Sequence, residues 1–181
     1  MAMRIFLLLT ALLLGACGFH LRGQASMPFK TLYLKAENPG TELVAELGRK
    51  LEANRVQLVN TADQAEVTLN IVSEISDKQI LSLGGDGRVN EFRLIYRVSL
   101  RAYDRQQQDW VPAEVAELRR DYRYDDTQAL AKQAEETMLI QSLRSDMAQQ
   151  IMRRLSRAKP QPPATPLHTP TPQPSPTPQP K

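Results

Sequence analysis

One cysteine is present in the chain, and its position assigns it a chemistry. Cys17 closes the run Leu14-Gly15-Ala16-Cys17, at the end of an apolar stretch, Ile5 to Leu14, that follows a single positive charge, Arg4. A charged lead, a short apolar core and small residues before a cut are the parts of a secretory signal peptide. The stretch is shorter than the roughly 20 residues a membrane-spanning helix needs. Leu, two small residues and Cys form the pattern of a bacterial lipobox. In that chemistry the thiol takes a diacylglyceryl group, the chain is cut before the Cys, and the new amine is acylated. A lone Cys otherwise suggests a buried free thiol or a bridge to another chain; neither fits a residue at the end of a hydrophobic leader. Residues 1–16 therefore read as a signal peptide and 17–28 as a lipidated tether, its acyl chains holding a soluble domain to a membrane. Gly18, where an Asp would favour the inner membrane, points to the outer one.

The remaining reactive side chains do not assemble into a catalytic set. The only histidines are His20, beside the anchor, and His168, near the C-terminus. They cannot build a zinc or haem site, nor serve a Ser-His or Cys-His dyad in a core. No carboxylate loop has the spacing of a calcium site, so no cofactor or metal is expected. Glu114, Glu117 and Asp121 could form a glycosidase-like acid pair, but they alternate with arginines along one strand. The formal charge of +3 falls to +2 once Arg4 leaves with the leader, which gives no argument for nucleic acid as a partner. Arg93, Arg97 and Arg101 recur every four residues, and on a strand this sets their roots about 13 Å apart in one row. Such a row suits a polyanion; it equally suits cross-strand pairing with Glu117 and Asp121. Arg119 and Arg123 extend the row if they share its face.

The elements that position these groups follow from periodicity. Thr31 to Leu34 is a β-prone run ended by Asn38-Pro39-Gly40. Leu43, Val44, Leu47 and Leu51 then recur at helical steps, with Thr41 as N-cap and Asn54 ending the helix in a left-handed conformation. Gly48 within it suggests close packing on a sheet. Val56 to Val59 is a short apolar extension. A long strand runs from Val67 to Leu83, with a bend expected at Ser76-Asp77, into Gly84-Gly85-Asp86-Gly87. Asp-Gly between β-prone runs predicts a hairpin; a phosphate-binding loop would need a following helix. Phe92, Leu94, Tyr96, Val98, Leu100 and Ala102 alternate with Glu91, Arg93, Ile95, Arg97, Ser99 and Arg101, the pattern of a half-buried antiparallel strand. A last strand spans Trp110 to Tyr124, with Pro112 at its start or edge.

A long helix closes the domain. Leu139, Leu143, Met147, Ile151 and Leu155 form its stripe, widened by Leu130, Ala134, Met138, Ile140, Ala148 and Met152. Asp126 or Thr127 is the expected cap. Packing on the sheet is preferred to lying on a membrane because the polar face mixes acids and bases. The fold class is then α+β: two helices on one face of a four-stranded mixed sheet, in the order β-α-β-β-β-α, over residues 29–158. Ten of the 13 prolines lie between Pro160 and Pro180. Residues 159–181 are therefore expected to form an extended tail that cannot bury enough apolar area to offset its chain entropy.

Cys17-Gly18-Phe19-His20-Leu21-Arg22-Gly23 resembles the opening of the LPS-assembly lipoprotein family LptE: an aromatic residue and His-Leu-Arg after the lipidated Cys. Ala129-Leu130-Ala131-Lys132 with Glu135-Glu136 is similar to a second motif of that family. The resemblance spans the chain except its tail. It implies a non-enzymatic, lipid-anchored protein on the periplasmic side of the outer membrane. Such a protein plugs an LptD-like outer-membrane β-barrel, helps that barrel assemble, and binds lipopolysaccharide delivered through a periplasmic bridge. It implies Lys132 as a contact to the ligand's phosphates. It also points to the Gly84–Arg88 turn, where Arg88 follows the glycines instead of preceding them. Arg93 and Arg97 join these as ligand candidates on their strand geometry alone. The competing role is an outer-membrane lipoprotein acting as a structural adaptor in another envelope complex.

Overall fold

The structure, a computed structural model, describes residues 26–161; the leader, Cys17 and the chain from Pro162 onward lie outside the described residues. Its elements are β1 (Thr31–Ala36), α1 (Glu42–Ala53), β2 (Gln57–Leu58), β3 (Val67–Leu83), β4 (Val89–Tyr103), β5 (Asp109–Arg123) and α2 (Ala129–Arg157). They form one five-stranded sheet in the order β2-β1-β3-β4-β5. β1 runs parallel to β2 and β3, whereas β3, β4 and β5 form an antiparallel meander. The mixed α+β sheet with two helices matches expectation. The count of four strands does not.

The fifth strand, β2, is the stretch read as an apolar extension. Two residues leave no periodicity to detect. They become a strand because Gln57 N–H donates to the Lys30 carbonyl (2.8 Å) and Val59 N–H to that of Leu32 (3.0 Å). α1 is thus the crossover of a parallel β-α-β unit, which a helix normally supplies. Thr41 caps it as expected, its Oγ1 accepting from Val44 N–H. Its exit differs from expectation. Asn54 stays at negative φ with its amide donating to the Lys50 carbonyl, and Arg55 takes the left-handed turn at φ 63°. Gly48 is not forced by close approach, since a Cβ there would meet Leu58 at an ordinary 3.5 Å.

The long strands behave as their alternation predicts. Leu94, Tyr96, Val98, Leu100 and Ala102 of β4 are buried under the helices with Leu43, Leu47, Leu51, Met147, Ile151 and Leu155. β3 shifts register at Val72 and Leu81 instead of bending at Ser76-Asp77. Leu130, Ala134 and Met138 are exposed, not core. At about 100° per residue they fall roughly 100–180° around the helix from Met147, so they cannot join its stripe; Leu130 is 85% and Met138 68% exposed. α2 is also entered differently: Asp125 caps a short 3₁₀ turn at Asp126–Gln128 by accepting from Thr127, and Gln128 precedes the α-helix without a side-chain cap.

The meander gives the domain two ends. At one lie the β3–β4 hairpin, the end of β5 and the start of α2. At the other lie the starts of β1, β3 and β5 and the end of α2. No helix among the described residues covers the second face of the sheet. Ile95, at 3% exposure, is its buried apolar point, sitting between Asp77 and Arg119 in the register.

Candidate functional site

The hairpin end brings together residues that are far apart in sequence. The turn is closed by Gly84 N–H to the Arg88 carbonyl (2.7 Å) and Gly87 N–H to the Gly84 carbonyl (2.9 Å). Gly87 sits at φ 81°, a conformation that side chains with a Cβ rarely adopt. The turn throws Arg88 toward the start of α2. There Arg88 Nη1 pairs with Asp126 Oδ2 at 3.0 Å, and its Nε lies 3.6 Å from Asp86 Oδ2. Lys132, one turn into α2, points the same way with Nζ 2.8 Å from Glu135 Oε2. Arg88, Asn90, Arg123, Tyr124 and Lys132 line a single open cleft of about 470 Å³ together with Asp86, Asp125 and Asp126.

The floor beside this cleft is aromatic and rigid. Phe92 stacks on Tyr122 (5.8 Å between centroids) and meets Tyr124 edge-on (5.1 Å). Lys78 Nζ lies 4.9 Å from the Phe92 centroid, within cation–π range. Glu136 ties α2 to this floor by accepting from Tyr122 Oη (2.7 Å) and Lys78 Nζ (2.8 Å). Burial pushes the Tyr122 phenol up, and the Glu136 hydrogen bond adds to the shift. Burial also works to raise Glu136, but the bonds and charge of Lys78 and the bond from Tyr122 prevail, leaving its carboxyl below the usual range. Asp125 is lowered as well, by the Thr127 hydroxyl first and its N–H second.

Chemically, the cleft sets Arg88 against Asp86 and Asp126, and Lys132 against Glu135, in surface pairs. Exposed pairs of this kind contribute about 0–1 kcal/mol each. A multiply charged phosphate can therefore take over Arg88 and Lys132 at little cost to the fold, gaining charge-assisted hydrogen bonds that the carboxylates gave up.

Arg93 and Arg97 stand elsewhere, on the uncovered face of the sheet. Arg93 grips Asp121 with two bonds, Nε to Oδ1 at 2.8 Å and Nη2 to Oδ2 at 2.9 Å. Arg97 Nε lies 2.5 Å from Glu117 Oε2, and Arg119 holds the other oxygen of that carboxylate. Arg101 pairs with Asp109 at 2.6 Å. Arg119 and Arg123 do share this face, opposite Ile95 and Glu91. The Arg93 bond lowers Asp121 and raises Arg93 in return, and Arg97 and Arg119 lower Glu117. This is the cross-strand pairing that the spacing allowed. It also sets Glu117 and Asp121 opposite to a general acid, which needs a raised pKa. Glu114 is on the helix side, ion-paired with Arg154.

Sequence reasoning placed Arg88 and Lys132 without showing that they meet. It missed Phe92, Tyr122, Tyr124 and Glu136 as the support. A signal existed: Tyr122 and Tyr124 are two apart at the end of β5, and the β4–β5 register sets Phe92 opposite the first. Cys17 lies outside the described residues. Among the described residues no group of three or more His, Cys, Asp or Glu could hold a metal ion, and no helix is long and apolar enough to cross a membrane.

Residues 29–155 match the family described as "LptE: Lipopolysaccharide-assembly". The chain is 29% identical to the LPS-assembly lipoprotein LptE of Pectobacterium atrosepticum, covering 81% of this chain and 80% of that one. It is 30% identical to the protein of the same name from Yersinia pestis, over 81% of this chain and 72% of that one. Among solved structures it resembles an uncharacterized lipoprotein B of Nitrosomonas europaea (TM-score 0.67, 39% identity, 77% of this chain and 90% of that one). It also resembles the rare lipoprotein B of Shewanella oneidensis (TM-score 0.64, 28% identity, 70% of this chain and 94% of that one).

Proposed function

Because this chain belongs to the lipopolysaccharide-assembly family LptE, we propose that it is a non-enzymatic, lipopolysaccharide-binding subunit of an outer-membrane translocon. Cys17 is the lipidated residue that holds it at the outer membrane, facing the periplasm. The observation that carries the ligand site is the convergence of Arg88 and Lys132 on one cleft. Lipid A and the inner core sugars carry phosphates. Two cations on a rigid floor, held by exchangeable pairs, recognise them by charge and hydrogen bonding. Arg93 and Arg97 are held by Asp121 and Glu117, so the site centres on Arg88 and Lys132.

The partner in this reading is an LptD-like β-barrel that the domain plugs and helps assemble. Support comes from apolar side chains spread over several surfaces: Leu130 and Met138 on α2, Ile80 and Leu83 near the hairpin, Ile75 and Val115 on the uncovered face. A monomer leaves scattered apolar residues in water without consequence, but a plug enclosed by a barrel wall buries them on all sides. Docking then rests on broad contact with no single essential charge. Affinity capture of the full chain from detergent-solubilised outer membranes tests this. A stable complex with a β-barrel identified by mass is expected. Recovery with another envelope assembly and no barrel would instead favour the structural-adaptor role.

A further inference from the structure

The tether end of the domain carries a second cationic cleft, of about 600 Å³, whose chemistry differs from the first. Arg153, Arg157 and Lys159 line it beside Trp110 and Pro112. All three cations are exposed, and none has a carboxylate within ion-pair distance among the described residues. Among the described residues Glu114 is the only acid lining the cleft, and Arg154 already holds it. Cations in the last turn of a helix complement its dipole, which accounts for Arg154 and Arg157. It does not account for Lys159, which lies beyond the Ala158 C-cap.

The chain's path says what this cleft faces. Phe29 packs edge-on against Trp110, with centroids 5.8 Å apart, and Met27 lies beside Met152 and Arg153. The segment arriving from the N-terminus therefore meets the domain next to these cations. Ser26 is nine residues after Cys17, a stretch that reaches at most about 30 Å fully extended. If the tether is anchored as proposed, this end of the domain is kept within that distance of the bilayer.

We propose that Arg153, Arg157 and Lys159, with Trp110 at their side, form a docking surface for the anionic phospholipid headgroups of the membrane that holds the tether. Each Lys or Arg near such a surface strengthens binding about fivefold, and an indole flanked by cations suits the headgroup region, where apolar and wet surroundings meet. The role is orientation. The tether alone fixes distance, whereas the docked cations fix which end of the domain faces the headgroups. This surface is separate from the lipopolysaccharide cleft and does not depend on that assignment.

Trp110 is the only tryptophan in the chain, so it reports on its own surroundings. The full acylated chain is reconstituted in vesicles of phosphatidylcholine alone, or of phosphatidylcholine and phosphatidylglycerol in equal parts, each doped with a headgroup spin-labelled lipid. Trp110 quenching should be markedly stronger on the phosphatidylglycerol vesicles and fall toward the phosphatidylcholine value in high salt. The R153E/R157E/K159E variant should lose on the order of 100-fold in docking strength, from three contributions of about fivefold each, and its quenching should match that on phosphatidylcholine. R153Q/R157Q/K159Q, a milder change at the same exposed positions, should fall part of the way. R88D/K132D should quench like the unmodified chain. Equal quenching on both lipids, insensitivity to the triple change, failure of the chain to float with vesicles, or loss in R88D/K132D alone would each overturn the proposal.

Discussion

At the hairpin end of the sheet, Arg88, Lys132 and Lys78 each face a carboxylate; at the tether end, Arg153, Arg157 and Lys159 face none among the described residues. The difference has a physical origin. The hairpin end is where two separate chain segments meet, so it supplies acids from the turn, from the 3₁₀ lead-in and from α2 itself. These acids hold the cations in defined places. The tether end is the C-terminal end of one helix, where the backbone dipole attracts positive charge and the one acid lining the cleft, Glu114, is already held by Arg154. A paired cation is pre-organised and exchanges its partner for a ligand of similar geometry. An unpaired one acts as a field, attracting any anionic surface.

The largest effect should come from the core that joins the two ends. Met147 is fully buried between the sheet and α1, and M147A should cost about 2–5 kcal/mol in urea unfolding, loosening both clefts together. Next, R88D/K132D should weaken lipopolysaccharide binding by about 10–100-fold, the worth of one charged hydrogen bond of about 1.5–3 kcal/mol. Its unfolding free energy should fall by no more than about 2 kcal/mol, because it breaks two pairs worth about 0–1 kcal/mol each. Smaller still, G87A should destabilise the hairpin by about 1 kcal/mol through its positive φ, lowering binding without removing a charge.

The smallest effect concerns the uncovered face. Asp121 and Glu117 have folded-state pKa values below their ordinary ones. Their contribution to stability is therefore present above the ordinary carboxylate range and lost as pH falls through the lowered folded values. Thermal unfolding followed down that acid range should show a modest decline, flattened in R93A/R97A. Both carboxylates are solvent-exposed, so screening by salt should shrink the effect further.

Much of this was legible in the sequence, for reasons that differ from element to element. β4 announces itself because a half-buried strand must alternate, and the Asp86-Gly87 turn because its backbone needs a glycine. β2 left no trace, since two residues joined by hydrogen bonds to β1 carry no pattern of their own. The helical stripe of α2 was right from Leu139 to Leu155 and wrong for Leu130, Ala134 and Met138, because steps of four alone do not say which side of a helix they lie on. At the site, the types of Arg88 and Lys132 were visible, but their convergence depends on how the hairpin and α2 pack, which no local spacing encodes. For Arg93 and Arg97 the register decided the matter. A four-residue spacing on two adjacent strands produces ion pairs only when the strands align, and here Arg93 falls opposite Asp121 and Arg97 opposite Glu117.

One assay sets the two cationic ends against each other. Lipopolysaccharide affinity is measured for the unmodified chain, for R88D/K132D and for R153E/R157E/K159E, all confirmed folded by circular dichroism. The hairpin-end variant should lose about 10–100-fold, while the tether-end variant should bind as the unmodified chain does. Unchanged binding by R88D/K132D, or an equal loss in both variants, would contradict a site at Arg88 and Lys132, because recognition would then be a matter of overall charge and not of this cleft.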